Sequence, residues 1–324
     1  MGLIPLRLMP CQGPQMRYSR AVVSSPASIA NFGPGFDSFG LCLDTPRDLV
    51  TVKRAPAGSY EVKVVGSGSV PTDPMRNTAS YSAIKLAEAC GCGDAGFSMT
   101  VKKGMKPGSG IGSSAASSVG GALAMAVLLG VKDKKAVLEA AAMGEELISG
   151  AMHFDNVAAA LHGGFTVVSD ARTRTILQIR PPKFEVIVVI PDVTVETRKA
   201  RAVLPEKVHM RDAVSNLSLA SGMVHAMMKR DVRAIASHLD DSLAIPYRKS
   251  LVPGYDAVRE SALAAGALGV SLGGSGPAVF AIAINGASRI KSAMADAFRE
   301  SAGLDSESFV THPGEGARIE SVSK

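Results

Sequence analysis

Alternation of apolar and polar positions marks short strands at residues 21–24, 49–54, 60–65 and 97–101, and an apolar period near 3.6 marks a helix at 78–89. Two helices rich in Ala and Leu follow at 113–129 and 134–149, the second charged along one side. Gly163-Gly164 then breaks the pattern before a strand at 165–169. Pro181-Pro182 can continue neither a helix nor an interior strand, and a buried strand at 184–190 starts directly after it. The second half reads as helices at 208–229, 232–239 and 255–265, a strand, a glycine-rich turn, a strand at 279–284, a helix at 288–302 and a final strand. The fold class expected is α+β in two domains, 20–180 and 181–324, preceded by an N-terminal extension, 1–19.

Composition narrows what such a chain does. Its 324 residues, 46% hydrophobic and 20% charged, suit two globular domains with a cleft between them. Trp is absent and aromatic residues make up 5%, so platforms for stacking bases are poorly supplied and a nucleic-acid partner is not expected. The net charge of +6 suits a small anionic substrate as well as a polyanion, and its spread along the chain reads as a solvated surface. Residues 107–131 carry no charge, yet they include six Gly and five Ser, and the strictly apolar part, 119–131, is too short for a bilayer. A buried helix fed by a glycine-rich loop fits, and no membrane partner is expected.

Cys11, Cys42, Cys90 and Cys92 form no CxxC, and Cys90-Gly91-Cys92 is too tight for a zinc knuckle; inert thiols in a reducing cytoplasm are expected. The first 19 residues show no uninterrupted apolar stretch and Leu6 stands where a myristoylation signal needs Ser or Thr, so they read as an untargeted tail, with Met16 an alternative start.

Three glycine-rich constellations carry candidate chemistry. Pro107-Gly-Ser-Gly-Ile-Gly-Ser-Ser-Ala-Ala116 runs into a small-residue helix. Glycines at 108, 110 and 112 remove side chains that would hold a phosphate off, and helix-start amides then face the anion. Gly110-x-Gly112-x-x-Ala115 also fits the dinucleotide pattern GxGxxA, but residues 102–107 intervene between strand and loop, where a dinucleotide loop leaves its strand directly. GxxxxGK[ST] and the HRD and DFG motifs of protein kinases are missing. The second constellation, Ser25-Pro-Ala-Ser-Ile-Ala-Asn-Phe-Gly-Pro-Gly-Phe-Asp37, compresses Asn31 and Asp37 around a Gly33-Pro34-Gly35 turn. The third, Ser271-Leu-Gly-Gly-Ser-Gly-Pro277, sits between apolar strands. Taken singly, the three also read as a flexible loop, a self-capping connector and a β-bulge.

In this order and over nearly the whole chain from Arg20, the three motifs resemble the GHMP small-molecule kinases, named for galacto-, homoserine, mevalonate and phosphomevalonate kinases. His153-Phe-Asp-Asn156-Val-Ala-Ala-Ala-Leu-His-Gly-Gly164 and Thr197-Arg-Lys-Ala-Arg201 resemble its homoserine kinase branch, especially the archaeal form. Ala159 departs from that pattern, which has Pro there, and the leader before Arg20 is unmatched. The resemblance implies an N-terminal domain like domain 2 of ribosomal protein S5 and a ferredoxin-like C-terminal domain. It implies ATP and Mg²⁺ as cofactors, L-homoserine phosphorylated on its side-chain hydroxyl, a place in threonine biosynthesis, a cytoplasmic location and a homodimer. A mevalonate-type kinase is the alternative within the family.

The resemblance also implies residue roles. Pro107, Gly108, Ser109, Gly110, Ile111, Gly112, Ser113, Ser114, Ala115 and Ala116, with Asn77, hold the nucleotide; Ser114 and Glu145 hold the metal. Arg201 and Arg248 take the substrate carboxylate, Asn31, Asp37 and Asn156 its amino and hydroxyl ends, and His153, Gly274 and Ser275 complete the substrate site. Asp37, Asn156 and Glu145 are the catalytic candidates, with Asn156 orienting the hydroxyl and Asp37, Asp155 or no residue acting as base. A zwitterionic amino acid needs both an anion for its ammonium and a guanidinium fork for its carboxylate.

Overall fold

The computed structural model describes residues 17–66 and 68–324; Cys11, Met16 and the rest of the leader through residue 16 lie outside the described residues. β1 (Arg20–Ala30) pairs antiparallel with β2 (Phe39–Arg54), β3 (Tyr60–Val65) leads into α1 (Thr78–Ala89), and β4 (Phe97–Lys102) inserts between β2 and β3. The expected strand at 21–24 continues through Pro26 because the β1–β2 register shifts between Pro26 and Ser28, so the missing N–H falls at a bulge. α2 (Ser113–Leu129), α3 (Lys134–Ser149) and α4 (Asp155–His162) follow, then β5 (Phe165–Asp170) and β6 (Thr175–Ile179) at the rim of the same sheet.

Across Pro181-Pro182 the chain changes sheets. β7 (Glu185–Pro191), α5 (Thr197–Ala202), α6 (Met210–Lys229), α7 (Val232–Ser237), α8 (Ile245–Arg248), α9 (Tyr255–Ala264), β8 (Gly269–Leu272), β9 (Val279–Ala283), α10 (Ala287–Ala302) and β10 (Ser306–Thr311) complete the second half. Its sheet has the order β10-β7-β9-β8, antiparallel throughout. The last strand, β11 (Arg318–Ser323), returns to pair with β1, so the first sheet has seven described strands and holds both ends of the described chain. A cut at residue 181 therefore divides the sheets for every described strand except β11.

α2 is buried around most of its circumference, as its uncharged sequence requires. A Cβ at Gly121 would lie 1.9 Å from the Ala79 carbonyl oxygen, so α1 and α2 touch backbone to backbone. No helix among the described residues is long and apolar enough to cross a membrane. In β7, Val186, Val188 and Ile190 face a core shared with the first half, while Ile187 and Val189 face α9 and α10. The shared core joins the halves, since Phe32 of the first stacks on Phe280 of the second at 5.4 Å and meets Phe165 edge-on at 5.9 Å. Cys42 is buried between Leu41 and Leu43, with its Sγ 3.3 Å from the Glu315 carbonyl and its thiol pushed up to about 12, chiefly by burial.

The helices α4, α5 and α8 complete only one or two turns and went unread in the sequence, as did β6 and one of the two closing strands, β10 and β11, of which a single one was expected.

Candidate active site

The three glycine-rich segments meet around one cavity of about 490 Å³. Gly108, Gly110 and Gly112 all have left-handed φ, at 73°, 80° and 68°. A Cβ at Gly110 would lie 2.7 Å from the Gly276 carbonyl oxygen, and one at Gly112 would lie 2.4 Å from Ser28 Oγ and 3.0 Å from Asn156 Oδ1. The second segment is strained where it turns: Asn31, Phe32 and Asp37 hold φ of 66°, 30° and 54°. Asn31 ties the turn to the third segment, donating from Nδ2 to the Gly274 carbonyl at 3.2 Å and accepting the Asp37 amide on Oδ1 at 3.1 Å.

At one end of the cavity α2 begins. Its first intrahelical bond runs from the Ala116 amide to the Gly112 carbonyl at 2.9 Å, so the preceding amides of the first turn have no helical acceptor. Ser109 Oγ is buried without a hydrogen-bond partner. A cluster of donors opening on left-handed glycines fits a polyphosphate. Beside it Glu145 accepts from Ser114 Oγ at 2.9 Å and from Ser118 Oγ at 3.5 Å. Burial pushes its carboxyl up to about 7, and the charge of Asp155 adds to that rise.

At the other end Arg201 and Arg248 lie over the Phe36 ring, 5.5 and 5.1 Å from its centroid. Arg201 Nη2 donates to both oxygens of Asp37, at 2.9 and 3.0 Å, and lies 3.3 Å from His153 Nδ1. Arg201 Nε is buried with no partner. Arg248 donates to the Ala200 and Gly274 carbonyls, each at 3.0 Å. Burial and the two guanidiniums hold the His153 imidazole below its ordinary value, against the pull of Asp37. Asp155, at the start of α4, accepts the amides of Asn156 (2.8 Å) and Asn31; burial first and Asp37 second raise it to about 6. Asn156 reaches the wall with its Oδ1 accepting from Ser28 Oγ at 2.9 Å.

Some expected residues do not reach the cavity. Ile111, Ala115 and Ala116 send their side chains into the two cores, leaving only backbone for a ligand. Asn77 is the N-cap of α1: Oδ1 accepts from the Ala79 and Ser80 amides, at 3.0 and 3.3 Å, and Nδ2 donates to the Pro71 carbonyl at 2.8 Å, so both its polar groups serve the helix start. Its neighbours Arg76 and Thr78 line the wall instead. Ser275 also lines it, its Oγ 3.5 Å from Thr197 Oγ1. Sequence reasoning missed Lys103, Ser117 and Arg198 on the wall and Phe36 beneath the guanidiniums. Among the described residues no group of three or more His, Cys, Asp or Glu is placed to hold a metal.

Residues 77–164 match the model of the GHMP kinases N terminal domain, and residues 223–300 that of the GHMP kinases C terminal domain. A homoserine kinase of Thermococcus gammatolerans is 45% identical over 291 residues, covering 90% of this chain and 97% of the relative. A crystal structure of homoserine kinase from Cytophaga hutchinsonii superposes with a TM-score of 0.86 at 33% identity, covering 94% of this chain and 98% of the other. A crystal structure of L. major mevalonate kinase in complex with R-mevalonate shares the fold, with a TM-score of 0.74 at 16% identity over 94% of this chain and 99% of that one.

Because burial pushes the Asp155 carboxyl up from its ordinary value of 3.8 to about 6 in the folded chain, the folded state holds more protons between those values, and this group's contribution to stability falls as pH rises through them. Asp155→Asn removes that loss. Urea unfolding at about pH 4 and about pH 7.5 is expected to show the variant gaining on the unmodified chain as pH rises. A difference that is flat, or that reverses, contradicts a buried Asp155.

Proposed function

The chain belongs to the GHMP kinase family, on the homoserine kinase branch, and from that premise we propose that it transfers the γ-phosphoryl group of ATP to the side-chain hydroxyl of L-homoserine. On this reading the product is O-phospho-L-homoserine, the reaction is a step of threonine biosynthesis, and it takes place in the cytoplasm. The observation that carries this reading is the Arg201–Asp37 ion pair on the wall of the cavity that the glycine loop also lines. Each side chain is 38% exposed, so an incoming zwitterion can part them, its carboxylate replacing Asp37 on Arg201 and its ammonium replacing Arg201 on Asp37. Mevalonate has a carboxylate and no ammonium, and would leave Asp37 unmatched.

Phosphoryl transfer asks the protein chiefly to align two reactants and to neutralise charge. On this reading the amides of residues 108–114 and Ser109 Oγ hold the polyphosphate, and Arg201 and Arg248 hold the substrate carboxylate. Asn156 turns the hydroxyl toward the γ-phosphorus. A hydroxyl beside a carboxylate, next to a phosphate loop, suits Mg²⁺, which takes few protein ligands and keeps waters and phosphate oxygens; Ser114 and Glu145 would hold it. When bound, the ion offsets the negative charge of the triphosphate. A loose transition state lets the hydroxyl proton leave late, so no strong base is required.

The same reading includes a homodimer through α6, which exposes Met210, Val214, Leu217 and Met228 at 78, 55, 67 and 68%. Antiparallel pairing about Ser218 and Ser221 sets Met210 against the partner's Met228, with small residues at the crossing. Sedimentation equilibrium is expected to give a dimer that Leu217→Glu converts to a monomer; a monomeric parent chain rejects this face as the interface.

ADP release from Mg-ATP is expected with L-homoserine, and far more slowly with D-homoserine, L-serine or mevalonate. Arg248→Met should lower kcat/KM for homoserine by about two to three orders of magnitude, since a charged contact to the carboxylate is lost. Mevalonate turned over as fast as L-homoserine would reverse the assignment.

A further inference from the structure

On β2, Asp48 shares the inward face with Val50 and Val52, and on β4, Phe97, Met99 and Val101 point the same way. The register pairs Val50 with Val101 and Leu49 with Lys102, so the next step along both strands sets Lys103 opposite Asp48. The result is a buried ion pair where this apolar face meets the start of α2, with side chains 2% and 0% exposed.

Every hydrogen-bonding group of the pair is engaged. Lys103 Nζ donates to Asp48 Oδ2, to the Ser113 carbonyl at 2.9 Å and to Ser117 Oγ at 2.8 Å. Asp48 Oδ2 also accepts from Ser117 Oγ at 2.7 Å, and Oδ1 accepts the Gly104 amide at 2.9 Å. Ser113 and Ser117 stand one turn apart at the start of α2, and Lys103 itself borders the cavity. A buried ion pair is a poor source of stability, because apolar residues of similar volume commonly serve as well. Apolar residues cannot, however, hold the first-turn carbonyl of a helix in a fixed place against a strand.

We propose that the Asp48–Lys103 pair is a positioning device for the nucleotide: it clamps the first turn of α2 to the end of β4 and so aims the loop amides at the polyphosphate. This rests on reading residues 107–116 as the nucleotide site. Arg201, Arg248 and Asp37 share none of the clamp's hydrogen bonds, so its loss separates the two substrates: nucleotide affinity falls and homoserine affinity does not.

The test compares Lys103→Met, the double variant Lys103→Met with Asp48→Leu, and Ser117→Ala, which leaves both charges paired. Urea unfolding, titration with a non-hydrolysable ATP analogue and KM for each substrate are measured on all three. The single charge deletion should unfold more easily, because Asp48 is left buried and unpaired. The double variant should recover the parent's unfolding midpoint while binding the analogue about 100-fold more weakly, a loss typical of misplaced binding groups, with KM for homoserine unchanged. Ser117→Ala, folded by the same criterion, should weaken analogue binding by about tenfold. Analogue affinity equal to the parent's in the double variant or, should that variant not fold, in Ser117→Ala overturns the proposal. So does an equal loss for both substrates. Analogue titration needs no acceptor, so a chain that binds nucleotide but ignores homoserine defeats the functional reading and leaves the clamp to be judged on its own.

Discussion

Three backbone segments can surround this cavity only because none carries a β-carbon where it comes closest to the next. Gly110 lies against the carbonyl of Gly276, Gly112 against Ser28 and Asn156, and Gly274 receives Asn31 and Arg248 on one carbonyl oxygen. A methyl group at either of the first two positions would have to occupy space already filled at 2.7 Å or less. That close approach brings a strand end from the first sheet, a helix start and a hairpin of the second sheet to one wall. Each supplies a different chemistry: Asn31 and Asp37 from the first, phosphate-facing amides from the second, and an anchor for Arg248 from the third.

The cavity draws on both halves of the molecule, with the loop 108–114, Asp37 and His153 from the first and Arg201 and Arg248 from the second, so their relative placement is set by how those halves pack. The Phe32–Phe280 stack fixes that packing at the point where the strained turn 31–37 begins. Burying a phenylalanine contributes about 1.5–3 kcal/mol, comparable to the cost of about 1–3 kcal/mol for one of the three non-glycine residues that this turn holds in a left-handed conformation. The return of β11 to the first sheet adds a covalent reason for the halves to stay in register. Activity and interdomain packing are thereby linked: what holds the Phe32 turn also holds Asp37 near Arg201.

Much of this was legible in the residues. Long helices such as α1, α3 and α10 declare themselves by their period and α2 by its uncharged run of small and apolar residues, and so do glycine runs, because φ near 70° disfavours most other residues. The short helices α5 and α8 escaped detection, yet they carry Arg201 and Arg248; the family pattern named those two residues, not their periodicity. Asn77 shows how a polar residue beside a site can be fully used by the backbone, and Ile111, Ala115 and Ala116 show that a motif's contiguous letters alternate between ligand and core. Asp48 and Lys103 were readable in principle. Each continues the two-residue alternation of its strand, but a lysine after another lysine looks like solvated charge until the strands are paired.

The central claim is that one cavity holds a nucleotide's polyphosphate against the start of α2 and an amino-alcohol acid against Arg201 and Arg248. A crystal structure with a non-hydrolysable ATP analogue and L-homoserine tests it most directly. The triphosphate is expected along residues 108–114, the homoserine carboxylate on the two arginines, and the side-chain hydroxyl about 3–3.5 Å from the γ-phosphorus. A triphosphate lying away from that loop, or a homoserine whose hydroxyl points away from it, would contradict the account.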